Sequence, residues 1–225
     1  ITARLHESGA FGSTPREPVD LILEGGSIET DGQGTLLTTA ECLLNPNRNG
    51  LDRATLERRL GETLGITRFL WLRHGHLAGD DTDSHIDTLA RFCDSRTIAY
   101  QGCADPADPH HEPLRAMAEE LRAFRTAEGE PYRLIELPLP AARRDENGNR
   151  LPAGYANFLI LNGAVLVPTY GDPLDAIALK RLGSCFPDRE VIGIPCAPLI
   201  RQGGSLHCAT MQLPAGSVPR YGSSR

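Results

Sequence analysis

Short alternating runs of apolar and polar residues recur along this chain, separated by stretches of helical period. Residues 27–31 and 35–38 flank Gly32-Gln33-Gly34, a turn that suits a hairpin. A helix follows over 52–64, with Leu56, Leu60 and Leu64 on one face, and then a strand at 68–72. The pattern returns with a strand at 97–100, a helix at 112–125 and a strand at 132–137. Leu114, Met117, Leu121 and Phe124 form that helix's apolar stripe. In its third appearance, runs at 158–161 and 165–167 surround Asn162-Gly163, a strong hairpin signal. A helix over 174–182, opened by Asp172-Pro173, and a strand at 190–194 complete it.

Strand, strand, helix, strand at a spacing of roughly 60 residues predicts a radial or stacked repeat rather than one open sheet. Glu24 precedes the first hairpin, His85 follows the first unit's last strand, and Cys208 follows the third unit's last strand. Residues leaving equivalent strand ends converge on one axis, which is how a radial array builds a site. Pro- and Gly-rich insertions at 102–111 and 138–156 read as surface loops of the kind that cover substrates. The stretch 216–225 reads as a disordered tail.

Composition narrows the partners. The 225 residues carry a formal net charge of −6, which argues against nucleic acid and anionic membranes and favours a cationic partner. No apolar run reaches the ~20 residues of a membrane span, and no secretory signal opens the chain. Six cysteines, at 42, 93, 103, 185, 196 and 208, lack zinc-type spacing and read as mostly buried thiols of a cytoplasmic protein. The chain begins at Ile1 and reads as the C-terminal part of something longer, forming one domain over 1–225. A homo-oligomer is left open.

The candidate nucleophile is Cys208, behind Gly203-Gly204, where the backbone can turn tightly and bring a thiol and N–H groups to a substrate. A buried structural cysteine is the plain alternative, and it is accepted for the other five. His85 and Asp87 lie two apart and can share a face. The segment beginning Asp81-Thr82-Asp83 is not a calcium loop, since Ile86 stands where Gly is needed and no Glu closes it. His74, His76, Asp80 and His85 form a weaker metal-ligand set that nothing else completes.

These blocks together resemble the agmatine deiminase and Porphyromonas-type peptidyl-arginine deiminase family of the guanidino-group-modifying superfamily. The matching stretches are Leu23-Glu24-Gly25-Gly26-Ser27, Glu41-Cys42-Leu43-Leu44-Asn45-Pro46-Asn47-Arg48-Asn49 and Asp80-Asp81-Thr82-Asp83-Ser84-His85-Ile86-Asp87. Tyr155-Ala156-Asn157-Phe158, Gly171-Asp172-Pro173 and Gly203-Gly204-Ser205-Leu206-His207-Cys208 extend the likeness, which runs in order from about residue 20 to 214. Ser84 stands where the family usually has Gly, Gln202 replaces the first of three glycines, and Gly154 replaces a usual Ser.

The resemblance implies the pentein fold, an α/β-propeller of ββαβ-type repeats around a central site, with three to four of its five units in this chain. It implies Cys208 as nucleophile, His85 as general acid and base, and Glu24 as the carboxylate paired with His85. Asp87, Asn157 and Gly204 are implied on the substrate side. The family's second guanidinium-binding aspartate is expected upstream of Glu24, and Asp20 is too close to Glu24 to serve. The activity implied is hydrolysis of agmatine to N-carbamoylputrescine and ammonia, without metal or organic cofactor. Peptidyl or free arginine is the alternative substrate, and a non-catalytic guanidino-binding pentein or a metal-dependent hydrolase the alternative class.

Overall fold

The computed structural model of the chain describes residues 1–216; the expected tail thus falls, from residue 217 on, outside the described residues. After a short helix α1 (Thr2–Glu7), strands β1 (Ile28–Thr30) and β2 (Thr35–Thr39) pair antiparallel, Ile28 facing Thr38. Asp31 closes their turn by accepting from the Gln33 and Thr35 amides at 2.8 and 2.9 Å, and Gly34 turns at φ +90°. After the one-turn helix α2 (Ala40–Leu43), helix α3 (Arg53–Leu64) is capped by the Asp52 carboxylate on the Thr55 amide and ended by left-handed Gly65. It returns the chain to β3 (Arg68–Leu72), parallel to β2.

The same unit is built twice more. Strands β4 (Ala90–Asp94) and β5 (Thr97–Gln101), helix α4 (His111–Ala123) and strand β6 (Arg133–Leu137) form the second. Strands β7 (Leu159–Ile160) and β8 (Ala164–Thr169), helix α5 (Asp175–Gly183) and strand β9 (Glu190–Pro195) form the third. The described residues therefore hold three ββαβ units, the lower of the expected numbers, each with one three-stranded sheet.

The units interlock through their helices. Leu56 and Leu60 of α3 bury fully among Leu36 and Trp71 of their own sheet. Leu114, Met117 and Leu121 of α4 pack with Ile98 and Tyr100 of their own sheet and with Leu70 and Leu72 of the first. Helix α5 likewise contacts β8 and β9 and also β6 of the preceding unit. Burying the stripes of α4 and α5 against two sheets each joins the units into one body.

Three expectations need correction. Leu64 is exposed, because α3 ends there and its last turn faces solvent. The insertion at 138–156 is a surface loop only in its first part; residues 152–159 are buried, since Tyr155, Ala156 and Phe158 fill the third unit's core. The cysteines are not mostly buried: Cys42 and Cys196 are, Cys93, Cys103 and Cys185 are half-buried, and Cys208 is exposed.

Candidate active site

Each unit contributes the segment that enters its first strand. Glu24 leads through a single 3-10 turn, Gly25–Ser27, into β1. His85 leads through an equivalent turn, Ile86–Thr88, into β4. Asn157 lies two residues ahead of β7. The loop after β9 brings Cys208 back to meet them; Glu24, His85, Cys208 and Gly204 line an open cavity of about 790 Å³, and Asn157 lies behind Cys208, its Nδ2 3.3 Å from Sγ.

Local hydrogen bonds fix these segments. Thr38 and Thr39 at the end of β2 donate to the Ser27 and Ser84 carbonyls at 2.7 and 2.8 Å, tying both entering segments to one strand. Asp83 and Ser84 are left-handed, at φ +60° and +62°, a conformation costing on the order of 1 kcal/mol in a residue other than glycine. The family's usual Gly thus meets a real backbone demand at position 84; here the Ser84 hydroxyl, donating to Glu41 at 3.1 Å, helps to hold it. Gly203, at φ +84°, turns the loop that carries Cys208, and Tyr170 anchors that loop through the Ser205 hydroxyl at 2.8 Å.

The expected carboxylate–imidazole pair is present but loose. Glu24 Oε1 lies 3.9 Å from His85 Nε2, while both Glu24 oxygens accept from Arg48 Nε at 2.9 and 3.0 Å. Arg48 also donates to Asp83 at 2.8 Å, and its guanidinium, though disfavoured by burial, is held firmly charged by these two carboxylates. Burial opposes ionisation of Glu24, yet Arg48 outweighs it and holds the carboxyl below its ordinary range. His85 Nε2 is buried and has no hydrogen-bond partner.

Asp87 sits at the centre. Its Oδ2 meets His207 Nδ1 at 2.7 Å and Asn157 Nδ2 at 3.1 Å, and lies 3.6 Å from Cys208 Sγ. Its Oδ1 is buried without a partner. Burial works against the Asp87 charge, but the His207 contact prevails and holds the carboxyl below its usual value. Asn157 is a bracket: its Nδ2 reaches Asp87 and, at 3.3 Å, Cys208 Sγ, while its Oδ1 accepts from the His207 and Cys208 amides at 2.8 and 3.4 Å. Crowding around the Cys208 thiol, and then Asp87 beside it, push its pKa up to about 11.

Glycines make room for these contacts. A Cβ on Gly26 would lie 2.6 Å from His85 Nδ1 and 2.9 Å from Asp87 Oδ2, and one on Gly204 would lie 2.8 Å from Cys208 Cβ. Glu24, Cys42 and His85 each offer one ligand atom within 4.8 Å of the others, a donor set for a cation. Arg48 on Glu24 opposes it, as does a buried Cys42 thiol pushed up to about 12. The expected alternative set does not assemble: exposed His74 pairs with Glu120 at 3.1 Å, and His76 stacks on His110.

Arg48, Arg91 and His207 carry parts of the site that the sequence left unassigned. Arg91 is 2% exposed, donates to Glu29 of β1 at 2.6 Å and to the Phe158 carbonyl at 2.7 Å, and approaches His207 Nε2 at 3.4 Å. No local pattern marks an arginine for three separate partners; the signal available was an arginine inside an otherwise apolar run, Leu89–Cys93.

Comparison with known proteins gives this geometry its family. The model of the Porphyromonas-type peptidyl-arginine deiminase family matches residues 2–214. The agmatine deiminase of Pseudomonas fluorescens (strain SBW25) is 37% identical over 212 residues, 86% of this chain and 57% of that protein. A crystal structure of a Porphyromonas gingivalis protein superposes with a TM-score of 0.93 at 58% identity, over 97% of this chain and 65% of that one. The C. jejuni agmatine deiminase, solved with substrate bound, gives 0.84 at 43% identity, over 91% and 61%. The SxtG amidinotransferase of Microseira wollei, at 16% identity and a TM-score of 0.51, shares the pentein fold. The chain spans less than two thirds of the length of these relatives. It belongs to the Porphyromonas-type peptidyl-arginine deiminase family.

Proposed function

We propose that this chain carries the nucleophile and the acid–base half of an agmatine deiminase, which hydrolyses agmatine to N-carbamoylputrescine and ammonia. The observation that carries the reading is the pair of unpartnered buried polar atoms, Asp87 Oδ1 and His85 Nε2, on the cavity that holds Cys208. A buried carboxylate oxygen without a donor is costly, and a planar guanidinium supplies donors for it. The curated relatives named as agmatine deiminases support the substrate.

The chemistry follows in two halves. The Cys208 thiol gives up its proton to His85, and the thiolate attacks the guanidinium carbon. His85 protonates one amino group, the C–N bond breaks, and ammonia leaves a thiouronium joined to Sγ. His85 then takes a proton from water, the resulting hydroxide adds to the same carbon, and the C–S bond breaks to release the ureido product, its hydroxyl proton passing to the departing Cys208 sulfur. Glu24 Oε1 stands beside His85 Nε2 at 3.9 Å throughout. No step calls on a metal or organic cofactor. Six unpaired thiols accord with a cytoplasmic setting, and among the described residues no helix is long and apolar enough to cross a membrane.

One observation favours arginine or a C-terminal arginine as substrate instead. Arg189 stands on the cavity wall, where it can pair with a carboxylate that agmatine lacks. Ammonia release from agmatine, arginine and a C-terminal-arginine peptide separates the readings, with Cys208→Ala as control. Cys208-dependent turnover of agmatine alone is expected. Preferred turnover of the carboxylate substrates transfers the assignment to an arginine deiminase. Binding of a guanidino compound with no turnover of any of the three leaves a non-catalytic pentein.

A further inference from the structure

We infer that His207, the residue before the nucleophile, is a positioning residue. Its Nδ1–H is held on Asp87 Oδ2 and so reserves Oδ1 for the incoming guanidinium. The ligand in this statement rests on the deiminase reading above; the proton does not.

The assignment of the proton comes from the far side of the ring. His207 Nε2 faces Arg91 Nη2 at 3.4 Å, and an arginine can only donate. In neutral His207 the lone pair is therefore on Nε2 and the proton on Nδ1, where Asp87 accepts it at 2.7 Å. Arg91 has no freedom to turn away. Glu29 and the Phe158 carbonyl hold it at 2.6 and 2.7 Å, and its guanidinium lies 5.2 Å from the Phe158 ring centre.

A second group faces Nε2. Gln212 gives its own Nε2 to the Ile160 carbonyl at 2.8 Å, which leaves its Oε1 at 3.2 Å from the imidazole. That oxygen accepts from Nε2 when the ring carries both protons, and Nδ1–H stays on Asp87 in either form. The loop that aims the ring also aims the thiol, because the His207 and Cys208 amides share the Asn157 side-chain oxygen Oδ1. Without His207, Asp87 loses a charge-assisted hydrogen bond and the shorter of the two contacts, beside Asn157 Nδ2 at 3.1 Å, that fix which oxygen faces the cavity.

Two readouts on the purified chain test this. The first is nitrogen–proton correlation NMR of histidine-labelled protein from pH 6 to 9, with the His207 signals identified by their loss in His207→Asn. A ring protonated on Nδ1 throughout is expected; an Nε2–H tautomer at pH 8 overturns the inference. The second is calorimetric binding of agmatine in a Cys208→Ala background. His207→Leu is expected to weaken binding about tenfold or more, and His207→Asn, which keeps an N–H near Asp87, about threefold. Both variants are expected to melt close to the parent. Equal affinity for the parent and His207→Leu overturns the positioning role. If the Cys208→Ala parent itself binds no agmatine, the guanidinium half of the inference falls with the deiminase reading, and the spectrum alone decides the proton.

Discussion

A thiol pushed up to about 11 is almost wholly protonated at pH 7, with a thiolate fraction of about one in ten thousand. A substrate cation changes that balance. A unit positive charge about 4 Å away contributes about 4 kcal/mol at an effective dielectric of about 20, or roughly three pKa units. On the proposed function, the Cys208 thiol of the free chain is unreactive near pH 7, and a bound guanidinium would ionise it. Because the pKa is raised, the reactive form grows as pH climbs toward 11. Alkylation of Cys208 by iodoacetamide, followed by peptide mass spectrometry, should accelerate about tenfold per pH unit from 7 to 10. A plateau below pH 8 would show an already acidic thiol. Gly26 is the second residue-scale test. Adding a Cβ by Gly26→Ala pushes on His85 and Asp87 together. We expect about a hundredfold loss of kcat with little change in melting temperature, as measured by steady-state kinetics and thermal unfolding.

At the scale of elements, Arg91 joins the entering strands of all three units: it sits on β4, bonds Glu29 of β1, and holds the Phe158 carbonyl just ahead of β7. Removing one partner of a buried pair leaves an uncompensated charge, so Arg91→Met should cost about 3–5 kcal/mol in urea unfolding. A cost below about 1 kcal/mol would mean that the apolar packing alone holds the units together. The same residue shows where the sequence was legible. Hairpins closed by glycine turns and helices with an apolar stripe were readable, because their signals are local. Strand β4 was not, because buried Arg91 interrupts its apolar run and its turn, Ser95-Arg96, has no glycine. Helix α1 has no buried residue and hence no periodic mark. In the site, Cys208, His85, Asp87 and Glu24 stood out through their motifs. The grip of Arg48 on Glu24 and Asp83, and the contact of His207 with Asp87, span 24, 35 and 120 residues, and no local pattern records them.

For the whole molecule, repetition explains placement. Three copies of one unit place Glu24, His85 and Asn157 on the segments entering their first strands, and the first two of these face the cavity that Cys208 lines. Each sheet alone has a single hairpin and one parallel strand; the helices packed between sheets make them one body. That arrangement leaves the cavity open, with Asp87 Oδ1 and His85 Nε2 waiting for partners. The most direct measurement is the intact mass of the chain after brief exposure to agmatine and quenching in acid. The account predicts a species heavier by agmatine less one ammonia, mapped to Cys208, that is lost in Cys208→Ala. Turnover of agmatine with no adduct at Cys208 under any of these conditions would contradict it.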